Sequence, residues 1–357
     1  MSKSKFPSIA RRRFLTGAAA TGIAIGVKTR GAWAEEEKKL NVYNWDTYIG
    51  ENTISSFSEK TGIEVQYDLY ANNEELFAKL KEGNPGYDVI FPSDYMIETM
   101  LALDMLEPLD LSKIPNFANI DPNFQNPKFD PGSKHTVPYM WGTIGIGYRT
   151  SKVSAPPTSW KVLFDSEEYS GRIALLADQR AVIGITLKYL GFPMNSTNPD
   201  EVGAARDLLI KQKPHIKAFA PDEGQNMLVA GDVDLVMEWN GDIISVMEED
   251  ADISYSVPDE GSMVWIDGIA IPKGAPHPEN AHAFLNHIQD KDVMTEIANT
   301  IHYATSNIAA RSNLSAELLD NPAIYPPNEV IAKSESLIDV GESAKLYDEA
   351  WTAIQAA

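Results

Sequence analysis

Three strand-sized apolar runs alternate with three amphipathic helical segments between residues 40 and 103, and few folds accommodate that rhythm. Residues 40–44, 64–69 and 87–91 read as strands. Residues 51–60, the stretch from Asn73 to Gly83, and the stretch from Asp94 through Leu103 carry their apolar side chains at helical spacing, with Asn73 expected as a cap. The order β-α-β-α-β-α predicts an α/β fold, a parallel sheet with helices on both faces. Residues 107–135 hold five prolines and read as ordered loop, because Phe117, Phe124 and Phe129 are spread through them. Residues 137–148 are extended. Their glycines follow G-x-x-G-x-G with no helix after, so they are not a dinucleotide fingerprint. A second α/β run follows, with strands at 171–177, 217–219, 233–238 and 254–257 and helices between them. Residues 264–271 are extended, residues 278–289 and 291–300 are helical, 303–311 are extended, and two or three helices close the chain. About 320 residues after the N-terminal segment exceed what one core usually holds, so two domains are expected.

Residues 1–34 read as an export address. Lys3, Lys5, Arg11, Arg12 and Arg13 form a basic head, residues 14–27 a weakly apolar stretch, and Ala32-Trp33-Ala34 an A-x-A cleavage site. Arg11-Arg12-Arg13-Phe14-Leu15 resembles the twin-arginine export signal, which implies the Tat export machinery as a partner and the periplasm as the destination. A general secretory signal is the alternative. The chain has no cysteine, which removes a lipid-modified N-terminal cysteine, a disulfide framework and thiol chemistry. Its formal charge is −21, and without the seven basic residues of the export segment the remainder carries −28. That balance disfavours nucleic acid and anionic membranes as partners and is compatible with cationic ligands.

Candidate chemistry lies at strand ends, where α/β proteins bind ligands. An apolar run ending in tryptophan with an aspartate close behind occurs three times, at Trp45-Asp46, Trp239 to Asp242, and Trp265 to Asp267. Asp94 and Asp178, with Tyr48 and Tyr95, occupy similar positions. Aromatic faces attract an organic cation and carboxylates pair with it, so this set suits a linear diamine whose methylenes need apolar walls. A simple metal site would leave the tryptophans unexplained. Nucleophile-elbow, phosphate-loop and H-E-x-x-H motifs are missing, and the six histidines are scattered, so neither an enzyme nor a cofactor is expected.

Several stretches together resemble the spermidine/putrescine-binding proteins of bacterial ABC importers, a branch of the type II periplasmic binding proteins. They include Tyr43-Asn44-Trp45, Pro92-Ser93-Asp94-Tyr95, Pro138 to Gly147, Glu238-Trp239-Asn240-Gly241-Asp242, Trp265 to Pro272, Tyr303 to Arg311 and Asn321 to Pro327. The resemblance covers nearly the whole chain after residue 34. It implies two α/β lobes closing over a cleft, with lobe one formed by residues 35–141 plus 267–308 and lobe two by 142–266 plus 309–357. It carries an aromatic box onto Trp45, Tyr48, Tyr95, Trp239, Trp265 and Tyr303, acids onto Asp178, Asp242 and Asp267, and a polar contact onto Ser93. Asp46 stands where the family often has Ser or Thr, and Asp94 where it has Thr or Ala. Ala181 replaces an amine-gripping Glu and Leu337 a contact Gln, which leaves the ligand's identity open. The implied protein is a monomeric periplasmic receptor that delivers a polyamine to an inner-membrane ABC permease. A receptor for another small cationic solute, or a sensor component, is the alternative.

Overall fold

The computed structural model describes residues 36–221 and 223–357, and the export signal expected over residues 1–34 lies outside them. Strands β1 (Lys39–Trp45), β2 (Glu64–Tyr70) and β3 (Val89–Ile90) run parallel, with β1 in the middle. Helices α1 (Thr53–Thr61), α2 (Asn73–Leu80) and α3 (Asp94–Ala102) alternate with them. Helix α1 turns Phe57 inward against Phe284, ring centroids 5.0 Å apart, and stops at Gly62, whose φ of 71° disfavours a side chain. The cap of α2 is Asn72, one residue before the expected Asn73. Asn72 has the extended backbone a cap needs and accepts from the Glu75 N–H. Asn73 turns inward, where its amide donates to Ser93 Oγ at 3.0 Å and its oxygen accepts from the Ser93 N–H.

The strand β4 (Thr136–Arg149) changes partners along its length. Residues 136–143 pair antiparallel with β9 (Val264–Ala270), and residues 144–149 pair antiparallel with β7 (Leu235–Trp239) and β8 (Ile253–Ser256). On the far side of β7 lie β5 (Ile173–Leu176) and β6 (Ile216–Ala220), parallel to each other, with β5 parallel to β7. The strand order is β2-β1-β3-β9-β4-β7-β5-β6, with β8 and the short β10 (Ala304–Thr305) both on β4. Two parallel groups are therefore joined by antiparallel crossing strands. The close packing needs Gly142, where a Cβ would sit 2.7 Å from the Trp265 ring.

The second group is flanked by α4 (Lys161–Phe164), α5 (Gln179–Tyr189), α6 (Pro199–Gln212), α7 (Gly224–Val229) and α8 (Asn240–Glu249). Helices α9 (Pro278–Ile288) and α10 (Lys291–Ile301) follow β9. The extended segment expected at 303–311 shortens to β10, because the Asn307 side chain accepts from the Ala310 N–H and starts α11 (Ile308–Arg311). The chain closes with α12 (Ala316–Leu319), α13 (Asn328–Lys333) and α14 (Ala344–Ala356). Residues 107–135 are ordered, as their aromatics predict, but not loop throughout: short 3-10 helices form at Leu111–Lys113 and Pro115–Asn119, Phe129 is buried, and Asn116 is hydrogen-bonded to Asn286 on α9. No helix among the described residues is long and apolar enough to cross a membrane.

Candidate functional site

The carboxyl ends of both parallel groups open on one cleft. Among the described residues it is lined by Trp45, Asp46, Tyr48, Ser93, Trp239, Asp242, Trp265, Asp267 and Tyr303 around about 370 Å³ of space, part of it open to solvent. Trp45 ends β1 and is anchored by its indole N–H, which donates to the Phe91 carbonyl at 2.8 Å. Asp46 follows, exposed at the rim. Trp239 ends β7, and Asp242 lies in the first turn of α8. Trp265 and Asp267 are two apart on β9, so both side chains leave the strand on the same face. Ser93 lies before α3, bridged to Asp267 through the backbone.

The rings pack edge to face. Tyr48 meets Tyr303 with centroids 5.4 Å apart, Trp265 meets Tyr303 at 5.1 Å, and Trp239 meets Trp265 at 5.9 Å and 88°. Such contacts hold aromatic faces at fixed angles. Gly241 makes room for Tyr303, because a Cβ there would sit 2.5 Å from the ring. The Tyr303 hydroxyl donates to Asp242 Oδ2 at 2.7 Å.

Two carboxylate poles result. Asp267 is 5% exposed, and burial pushes its carboxyl up to about 7, a rise that the Ser93 and Tyr48 hydroxyls partly offset. Burial also lifts Asp242 to about 6, with the Tyr303 hydroxyl pulling it down and the Asp46 carboxylate pushing it up. Asp267 Oδ1, the Tyr48 hydroxyl and the Trp265 indole N–H are buried without a well-aligned hydrogen-bond partner among the described residues. Unsatisfied buried polar atoms are costly; the Tyr48 hydroxyl faces Asp267, the indole N–H is a donor that an ammonium would not match, and Asp267 Oδ1 is the acceptor an ammonium donor would fill. Among the described residues no group of three or more His, Asp or Glu side chains is placed to hold a metal ion.

Three residues of the expected set stand outside the lining. Asp94 is buried, its Oδ1 accepts from the Tyr95 N–H at 2.8 Å, and burial raises its carboxyl well above the usual range. Asp178 caps α5, accepting from the Ala181 N–H at 2.9 Å. Tyr95 donates its hydroxyl to Glu74 Oε1 at 3.0 Å, and the Arg180 guanidinium lies over its ring. Sequence reasoning assigned no role to Glu74 or Arg180. Their spacing carries no signal, because Glu74 enters from α2 and Arg180 from α5.

An α/β cleft walled by aromatics and carboxylates, built at strand ends, defines a binding protein for a small solute. The model of the bacterial extracellular solute-binding protein family matches residues 52–326, and the chain belongs to that family. It is 36% identical over 340 residues to the spermidine/putrescine-binding periplasmic protein of Salmonella typhimurium, covering 95% of this chain and 97% of that protein. It is 35% identical over 364 residues to the putrescine-binding periplasmic protein PotF of Escherichia coli, covering 96% and 98%. Among solved structures, the spermidine/putrescine ABC transporter substrate-binding protein PotD of Streptococcus pneumoniae superposes with a TM-score of 0.73 at 34% identity, covering 88% of this chain and 99% of that one. The fold is the two-lobed periplasmic binding protein fold.

Proposed function

We propose that this protein is a periplasmic receptor that captures a small polyamine, putrescine or spermidine, and hands it to an ABC importer of the inner membrane. The observation that carries the reading is the cleft itself. Its walls are the faces of Trp45, Trp239, Trp265, Tyr48 and Tyr303, and its poles are Asp267 and the Asp46–Asp242 pair. Each cation–π contact contributes roughly 0.5–2 kcal/mol, so a few of them with two ion pairs reach the roughly 8 kcal/mol of micromolar binding. Trp45, Asp46, Tyr48, Ser93, Trp239, Asp242, Trp265, Asp267 and Tyr303 make the direct contacts. Asp94, Tyr95 and Asp178 act from behind them.

The lobes divide as residues 35–141 plus 267–308 and 142–266 plus 309–357. The exchange of partners along β4 between Thr143 and Ile144 supports a crossing there. Export runs through the twin-arginine route, supported by Arg11-Arg12-Arg13-Phe14-Leu15. The receptor acts as a monomer, which a site complete within one chain supports.

Isothermal titration against putrescine, cadaverine, spermidine, agmatine, divalent metal ions and a neutral sugar tests the reading. Heat from the amines alone is expected. Binding of the sugar or the metals with no binding of any amine overturns it.

A further inference from the structure

One of the contacts that hold Asp267 begins outside the cleft. Ser93 and Asp267 form an antiparallel bridge, and the neighbouring Gly268 N–H donates to the Pro92 carbonyl at 3.0 Å, so both side chains line the cleft next to each other. Behind Ser93 lies Asn73, 2% exposed, at the first position of α2. Asn72 caps that helix, which releases the Asn73 side chain to turn inward. Its Oδ1 accepts from the Ser93 N–H at 3.1 Å, and its amide donates to Ser93 Oγ at 3.0 Å. The first contact fixes the second. A backbone N–H can only donate, so the amide oxygen must face it, and the NH2 end is left against the hydroxyl. Ser93 Oγ is thereby an acceptor toward Asn73. Its single proton is left for the Asp267 carboxyl, whose charged form it favours.

We propose that Asn73 is a positioning residue for the cation site, which orders the Ser93 hydroxyl so that its proton points at Asp267 and so keeps that carboxylate charged for an ammonium ion. The ammonium guest rests on the receptor reading above, whereas the ordering of the hydroxyl rests on the hydrogen bonds alone. The other ionisable groups facing Asp267 are the phenols of Tyr48, Tyr70 and Tyr139 and the buried carboxyl of Asp94. Burial holds the three phenols well above their usual range, so they stay neutral while Asp267 titrates. Without Asn73 the Ser93 hydroxyl loses its donor and the Ser93 N–H its acceptor. The hydroxyl proton is then no longer directed at Asp267, and the carboxyl keeps its own proton to higher pH.

The test is a pH series on the whole protein, comparing the wild type with Asn73→Ala, Ser93→Ala and the double variant. In ligand-free protein the Asp267 carboxyl is followed by carbon-13 NMR, its signal assigned by its loss in Asp267→Asn. The midpoint is expected to rise by about one pH unit in each single variant and no further in the double variant. Affinity of Asn73→Ala for 1,4-diaminobutane is then expected to fall about fivefold or more at pH 6.5 and less than about twofold at pH 8.5. A merely structural Asn73 would lower stability and leave the midpoint in place. An unchanged midpoint in folded Asn73→Ala overturns the proposal, and so do additive shifts in the double variant. Where Asn73→Ala does not fold, an unchanged midpoint in Ser93→Ala overturns it. Amine binding with unchanged midpoints removes only the role of Asn73. Failure of every amine to bind removes the receptor reading, and the NMR midpoints still decide whether Asn73 orders the hydroxyl.

Discussion

At the scale of the residue, Asp267 is the centre of the site. It is buried, one of its oxygens has no well-aligned partner, and it lies two residues from the Trp265 face. Asp267→Asn keeps the shape and removes the charge, and it is expected to weaken diamine binding at least about tenfold, or ~1.4 kcal/mol, by isothermal titration. The raised carboxyls also make binding pH-dependent. An ammonium ion pairs with the carboxylate, so affinity falls as pH drops through about 7 for Asp267 and about 6 for Asp242. Between pH 6 and 7 binding then releases protons, detectable as a dependence of the binding heat on buffer ionisation enthalpy. Release should be nearly absent at pH 8.5. Stability of the ligand-free protein moves the other way. The native carboxyls hold protons that an unfolded Asp, near 3.8, has already lost. The folded state therefore gains stability as pH falls from about 8 toward 5. Asp267→Asn should flatten that slope in denaturant titrations at pH 8 and pH 5.

At the scale of the element, α8 and β9 do the positioning. The first turn of α8 presents Asp242 to the Tyr303 hydroxyl, and Gly241 leaves the space in which the Tyr303 ring lies. Gly241→Ala is therefore expected to cost about 1–3 kcal/mol of stability by overpacking and to weaken amine binding by displacing Tyr303. Gly203 in α6 has open space around it, its nearest neighbour being the end of the Arg206 side chain at 3.9 Å. Gly203→Ala is expected to be neutral, or stabilising by up to about 1 kcal/mol, with unchanged binding. Equal effects of the two changes in paired denaturation and titration experiments would contradict this account of Gly241. The elements themselves were largely legible. Parallel β1, β2 and β3 follow from apolar runs alternating with helical periodicity. The cap of α2 was missed by one residue because Asn72 and Asn73 are chemically alike, and only the contact of Asn73 with Ser93, twenty residues away, separates their roles.

At the scale of the whole molecule, a ligand that binds only the folded form stabilises it by mass action. Diamine at a hundredfold excess over its Kd is expected to add about 2.7 kcal/mol, read as a rise in Tm that Asp267→Asn cuts to about half or less at the same concentration. An unchanged Tm in saturating diamine would contradict occupancy of the folded cleft. Several features were present in the residues alone, because they are local. These are the α/β rhythm, the tryptophans and aspartates at strand ends, and an acidic chain without cysteine. Strand ends recur wherever a run of apolar residues stops, and a side chain's place on its own strand follows from a period of two. Which of those side chains share one cleft was decided by packing between distant segments. Trp45, Trp239 and Trp265 converge because β4 joins β9 along one half and β7 along the other. Asp94 and Asp178 look the same in sequence as Asp46 and Asp267. Asp94 and Asp178 each give an oxygen to a backbone N–H at the start of a helix, but Asp46 also accepts from the next residue's N–H, so local hydrogen bonding does not part them. The cleft is lined by Asp46 and Asp267 and not by Asp94 or Asp178, and Tyr95 is covered by a guanidinium from α5. Position relative to the cleft and a long-range cation are settled only when the chain is folded, and there the aspartates that line the cleft part from those that do not.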